Sequence, residues 1–471
     1  MADQVHISRD APGPADKPTT EQAHQFGLTA AMALIVGSII GVGIFNLPTS
    51  LAAYGPITLV SMALTTVGAL ALALLFASLS RRLPADGGPY AYARVAFGNR
   101  LGFANAWSYW ITAWAGNAAI AVGWVLYVEH FINKDHTKWV SVVLVLVGLW
   151  IPAVINLSGV KNMGSVQVVT TVVKFVVLAF MATVGLFFIK SANFTPWNVS
   201  GESAINAIGG GMAIALFSYL GVETAAVAAA KVRNPDRNIP RATILGTIAT
   251  AVVYMLSLIA VFGIVPTSSL AKATAPFSDA ANSIFGGSWA GNVMALAVII
   301  SGFGALNGWT MICAEMPLAA ANDGLFPERF KRMSKNQVPS FGIIASTVLA
   351  SVAMIINYLG SSGATVFTTL VLMTGITAAI PYGFSALAQL KWRWVDHKTM
   401  QTPRFARDMI VAVLSLVFSI LFIWYSRNTG HSFWVYWAPF FLAAGALVLG
   451  IPVYLGQRRH MAQPASVPPY R

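Results

Sequence analysis

The sequence predicts an all-α integral membrane protein of twelve transmembrane helices, ten of them in two five-helix sets of opposite orientation and two at the periphery. Three observations predict it. Hydrophobic residues make up 56% of the chain against 10% charged, a balance at which an ordinary globular fold would leave too much apolar surface in water. Apolar runs of about 20 residues, the length that crosses roughly 30 Å of hydrocarbon, recur from Leu28 to Leu455. Two of these runs, the first and the sixth, are interrupted by glycines.

The first span, Leu28 to Leu51, carries GSIIGVGIF, with Gly37, Gly41 and Gly43 in its middle. Four further spans follow, at Ile57 to Leu79, Leu101 to Tyr127, Trp139 to Leu157 and Val166 to Phe188. The sixth, Ala204 to Ala229, carries FSYLGVE (Phe217 to Glu223) after Gly209, Gly210 and Gly211, so it too is a weakened helix. Thr243 to Val265, Asn292 to Ala319, Gly342 to Tyr358 and Val366 to Leu390 complete a second set. Met409 to Tyr425 and Phe433 to Leu455 lie outside both sets. The transport core is thus expected over residues 27–390, in repeats 27–188 and 204–390, with peripheral helices 11 and 12 over 391–455. An odd number of spans per set inverts the second copy relative to the first. Unwound glycines leave N–H and C=O groups that lipid penalises by several kcal/mol each, so they must line a cavity or bind something. Paired breaks in inverted repeats point to a ligand site at the membrane midplane. For Gly41 and Gly43 taken alone, close helix contact is the competing explanation.

The net charge of +13 does not indicate a nucleic-acid partner, because of where it falls. With the N-terminus cytoplasmic, one face of the membrane holds only Lys134, Lys138, Lys190, Lys272 and Arg427; Lys174 lies inside a span, and the remaining basic residues share the other face and the tails. This is the positive-inside bias, and an even number of spans puts both termini in the cytoplasm. Residues 1–26 are polar and proline-bearing and read as a disordered cytoplasmic tail rather than a cleaved signal; residues 456–471 form the other tail. Tails this short leave no room for a folded output domain, which disfavours a sensor. The single cysteine, Cys313, excludes an intrachain disulfide framework and a Cys-rich metal site. No cofactor, metal site or convergent catalytic set is expected in the spans, so the chain does not read as an enzyme.

Within the spans the ionisable residues reduce to Glu223, Glu315 and Lys174. A charge at bilayer depth costs about 2.5 to 3.5 kcal/mol on the lenient insertion scale, so each should face the interior, pair, or carry protons. Glu223 at the second break is the proton-linked candidate, with a helix-tying role as the alternative. Glu315, near Pro317, fits a helix-end contact. Lys174 is either a proton carrier or a fixed cation bolting span 5 to the broken helices.

Several motifs carry a resemblance: GSIIGVGIFNLP, GGPYAYARVAFG (Gly87 to Gly98), YWITAWAGN (Tyr109 to Asn117), FSYLGVETAAVAAAKVRNPDRNIPRAT (Phe217 to Thr243) and NGWTMICAEMPLAAANDGLFP (Asn307 to Pro327). Over about residues 27–455 the chain resembles the amino acid, polyamine and organocation transporters, and within them the basic amino acid/polyamine antiporters, the group of the arginine/agmatine exchangers. The resemblance implies a leucine-transporter-like fold in the inner or plasma membrane, alternating access, an amino acid or amine substrate, protons as a further partner, and a homodimer. It implies that backbone at Ile39, Val42 and Gly43 holds the substrate carboxylate, Val42 replacing the exchangers' serine. Carbonyls around Phe217 and Leu220 would receive the α-amino group under the Phe217 ring, Trp309 would stack on a guanidinium, and Ala113, Asn117, Ile120 and Thr374 would complete the pocket. Tyr109, Glu223 and Tyr382 match a gate expected on the extracellular side, and Tyr90 a cytoplasmic-side residue linked to pH response. VQVVTTVVK (Val166 to Lys174) resembles instead a motif of L-type and cationic amino acid transporters, whose lysine stands where related folds hold sodium; a fixed cation there argues against sodium dependence. The expected function is exchange of cationic amino acids and related amines; proton-coupled transport of neutral amino acids is the alternative, favoured by Lys174 and by the apolar Val42, Ile120 and Ala113.

Overall fold

The computed structural model describes residues 27–83, 87–159, 163–224, 232–397, 402–428 and 432–461. The expected N-terminal tail, Lys231, and most of the C-terminal tail lie outside these residues, as do the side chains of Val166 and Gln167. The chain is helical along almost all of the described length. In order come α1 (Leu28–Ile39), α2 (Gly43–Ala52), α3 (Thr58–Arg82), α4 (Pro89–Phe97), α5 (Asn99–Ile132), α6 (Lys138–Leu157), α7 (Met163–Thr183) and α8 (Ala204–Ala215). These are followed by α9 (Pro235–Ile264), α10 (Pro276–Phe285), α11 (Trp289–Asn322), α12 (Ser340–Tyr358), α13 (Gly363–Asp396), α14 (Thr402–Tyr425), α15 (Phe433–Val448) and α16 (Gly450–Gln457). Ten helical segments among the described residues are long and apolar enough to cross a membrane, α15 and α16 together forming one of them. The protein is a multi-pass membrane protein.

Burial sorts these helices by depth. The most apolar stretch of α5 is 94% buried, against 33% for α14 and 22% for α15–α16. α5 is therefore the central post, packed by α11 and α13, and the last two spans present most of their surface outward. Small residues set the spacing. A Cβ on Gly209, Gly210 or Gly211 would stand within 2.4 to 2.5 Å of Tyr425, Tyr54 or Ser61, so the triple glycine lets three neighbours close on an intact α8. The sequence predicts that these glycines are part of the weak point. The interruption instead begins after Ala215, because close packing compensates the low helix propensity of glycine.

The end with Arg82, Arg393 and Arg407 is tied by buried ion pairs. Arg82 pairs with Asp396, and Arg393, fully buried, donates to Asp408 at 3.0 Å and to Ser78 at 3.0 Å. These bonds fasten α14 to α3 and α13.

Candidate substrate site

The two interruptions meet at the centre. Between α1 and α2 the chain leaves the helix at Ile40 (ψ 81°) and re-enters at Gly43. α8 tightens into a 3-10 turn over Leu216–Tyr219, Leu220 is extended, and Gly221 takes φ +108°. Only glycine suits that φ, and a Cβ there would also stand 2.9 Å from the Ser38 carbonyl carbon.

The carbonyl end of the first break is closed by three other helices. Lys174 Nζ donates to Gly37 O at 3.0 Å, Trp309 Nε1 to Ser38 O at 3.3 Å, and the Tyr254 hydroxyl to Ile39 O at 2.8 Å. Lys174 and Tyr254 are fully buried. These are the last carbonyls of a helix, which lack intrahelical partners and carry the negative end of the dipole, so a buried ammonium fits there. The other side of the break differs: α2 begins at Val42–Gly43 with no side-chain cap, leaving a helix N-terminus oriented to favour an anion.

Between the breaks lies a small closed cavity of about 10 Å³, room for a single water. Six of the expected residues line it: Ile39, Gly43, Ile120, Phe217, Leu220 and Trp309. Gly41, expected at the first break, lines it too, as do Ser38, Gly116 and Ser218, to which the sequence does not point; small residues inside long apolar runs carry no chemical signal of their own. Phe217 closes the space. Its ring lies on Gly43, where a Cβ would stand 2.7 Å from Cδ1, and meets Phe367 edge-on at 6.0 Å. The other four expected pocket residues stand outside the lining. The Val42 side chain turns to Gly302, and Ala113 is buried in α5. The Thr374 methyl packs toward Gly116 while its hydroxyl bonds Leu370 O at 2.7 Å. Asn117 is buried beside Gly116; its Nδ2 donates to Thr310 Oγ1 at 3.2 Å, and its Oδ1 has no hydrogen-bond partner among the described residues.

The Tyr109 hydroxyl donates to Glu223 Oε1 at 2.7 Å, and Gly221 N–H to Oε2 at 3.3 Å. All of Tyr109, Glu223 and Tyr382 are buried; the Tyr382 hydroxyl lies near the carboxylate without meeting hydrogen-bond geometry. The expectation put this cluster and Tyr90 on opposite sides of the pocket; the structure puts them on the same side. α5 starts beside Arg94, whose Nε bonds Asn99, passes Tyr109, and only then reaches Gly116 and Ile120 at the cavity. The cluster is therefore displaced about 12 Å from Asn117 toward the Asn99 end, the side that also holds Tyr90. Tyr90 belongs to a separate group there, donating to Asp323 Oδ2 at 3.1 Å, with Arg94 paired to the same oxygen at 2.6 Å.

Comparison with known proteins gives this geometry a context. Residues 26–449 match the model of the amino acid permease family. An arginine/ornithine antiporter of Pseudomonas aeruginosa is 30% identical over 85% of this chain and 86% of its own length. A cadaverine/lysine antiporter of Escherichia coli K12 is 28% identical, covering 85% and 89%, and a putrescine transporter of Haemophilus influenzae is 29% identical, covering 85% and 91%. These relatives are transporters, not enzymes. A cavity at two helix interruptions and a family match over nine-tenths of the chain agree: the protein belongs to the amino acid permease family, within the amino acid, polyamine and organocation transporters.

Proposed function

We propose that the protein exchanges cationic amino acids and related amines by alternating access, in an arrangement of twelve spans with repeats 27–188 and 204–390, peripheral helices 11 and 12, and both termini cytoplasmic. The uncapped start of α2, with the backbone of Ile39, Val42 and Gly43, would hold the substrate carboxylate. Carbonyls near Phe217 and Leu220 would take the α-amino group. The arginine/ornithine and cadaverine/lysine antiporters among its relatives support this class of substrate.

Asn117 carries the cationic reading. Thr310 Oγ1 already donates its proton to Leu306 O at 2.7 Å, so toward Asn117 it can only accept. That fixes the amide with nitrogen to Thr310 and leaves Oδ1 as a buried acceptor without a partner among the described residues. A neutral apolar side chain would leave the acceptor unsatisfied, at a cost of about 1 to 3 kcal/mol; an ammonium or guanidinium would satisfy it. Trp309, which lines the cavity next to Gly116, would stack on the cation. Tyr109, Glu223 and Tyr382 would form the barrier between the pocket and the face bearing Arg94 and Asp323, with Glu223 as the proton-linked group. Lys174 would act as a fixed cation holding the first break, in place of sodium.

A second reading, proton-coupled uptake of neutral amino acids, draws on the absence of any acidic side chain from the cavity lining among the described residues. Proteoliposomes separate the two. Internal arginine or ornithine should accelerate arginine uptake severalfold, and alanine should not compete. Uptake into empty vesicles driven by a proton gradient and blocked by alanine would overturn the exchange reading.

A further inference from the structure

At the end of the molecule that carries Arg94 and Asp323, a groove of about 520 Å³ lies between α5 and the last span. α5 contributes Arg100, Phe103, Ala104 and Trp107, the spacing that keeps side chains on one helical face. The last span contributes Leu447, Gly450, Ile451, Tyr454 and Arg458, again a single stripe. α5 starts at this end and α16 finishes at it, so each stripe has arginine at the rim and apolar or aromatic side chains farther in. At 1.5 Å per residue the stripes run about 10 and 16 Å inward, comparable to one leaflet, about 15 Å of hydrocarbon.

The floor is built rather than incidental. Trp107 Nε1 donates to Ala446 O at 2.9 Å, and a Cβ on Gly450 would stand 2.7 Å from the Trp107 ring, so glycine permits the last span to close on the indole. Arg100 and Arg458 are exposed, and neither side chain has an ion-pair partner among the described residues.

We propose that the groove is a binding site for an anionic phospholipid, its phosphate between Arg100 and Arg458 and an acyl chain along Phe103, Ile451 and Tyr454. Two guanidiniums without a counter-charge complement a phosphate, and basic pockets between spans recognise such head groups. Free phosphate would use only the rim. An acidic head group carrying an acyl chain uses both parts.

The test is native mass spectrometry of the full-length protein titrated with phosphatidylglycerol or phosphatidylcholine. Wild type should bind phosphatidylglycerol selectively. Arg100→Gln with Arg458→Gln should weaken that binding about thirtyfold, equivalent to about 2 kcal/mol at roughly 1 kcal/mol per arginine, and leave phosphatidylcholine unchanged. Ala104→Trp, which fills the exposed middle of the groove and keeps both arginines, should also lose the lipid, with thermal melting reporting that each variant remains folded. Equal binding of the two lipids by wild type would overturn the proposal. So would undiminished phosphatidylglycerol binding by either folded variant, equal stabilisation by glycerol phosphate, or displacement of the lipid as the chain dimerises.

Discussion

Replacing Gly43 with alanine should open the central cavity without touching any polar group. The new Cβ would stand 2.7 and 2.9 Å from Phe217 Cδ1 and Cε1, closer than two carbons tolerate. Phe217 has few routes of retreat, since Phe367 meets its edge at 6.0 Å and the remaining free space is the cavity of about 10 Å³. Overpacking of this kind costs about 1 to 3 kcal/mol, borne only by the arrangement in which Phe217 lies on Gly43. At 1.4 kcal/mol per tenfold, the closed state should lose about 5- to 150-fold in population relative to states with the ring withdrawn. The assay is thiol labelling of Ser218→Cys in a Cys313→Ser background, in liposomes, together with arginine uptake. Labelling should accelerate by at least fivefold and uptake should fall. Adding Phe217→Leu should restore slow labelling by removing the clash, a non-additive result expected of residues in contact. Unchanged labelling in Gly43→Ala, or strict additivity of the two substitutions, would refute the reasoning that Phe217 on Gly43 closes the site.

Thr310→Val removes the acceptor that orients Asn117, so the preference for arginine over alanine in competition should fall by about tenfold, near 1.4 kcal/mol, while melting temperature changes little. Glu223→Gln can still accept from Tyr109 and should fold normally; if Glu223 carries the proton, the pH dependence of transport should flatten, and an unchanged profile would reduce the residue to a structural tie. Lys174→Met leaves Gly37 O buried without its donor, a loss of about 1 to 3 kcal/mol that should lower the melting temperature in detergent and the maximal transport rate, with no appearance of sodium-stimulated uptake.

The membrane character, the long apolar helices and the two interruptions were legible in the sequence because each rests on a local signal. Twenty apolar residues in a row have no other stable use, glycine and polar residues within such a run weaken one helix, and a lysine in hydrocarbon must find a partner wherever it sits. Motifs likewise brought Ile39, Gly43, Ile120, Phe217, Leu220 and Trp309 to notice, and these line the cavity. What was not legible depends on the approach of distant segments. Gly209 to Gly211 read as weakness until Tyr425, Tyr54 and Ser61 supply the packing that makes glycine the fitting residue.

The same distinction separates what the sequence determined from what the tertiary structure decided. Residue order alone determined that the chain is helical and membrane-embedded, that it is interrupted near residues 40 and 220, and that Glu223 and Lys174 are ionisable residues within apolar spans. The fold decided which atoms complete each interruption: Lys174, Trp309 and Tyr254 close the carbonyl end of α1, while the start of α2 has no side-chain cap. It also decided that the Tyr109–Glu223 pair lies on the Asn99 side of the cavity. Hydrophobic length and helix propensity are summed along the chain, whereas a hydrogen bond requires two groups within about 3 Å, and for Lys174 and Gly37 those groups are 137 residues apart in sequence.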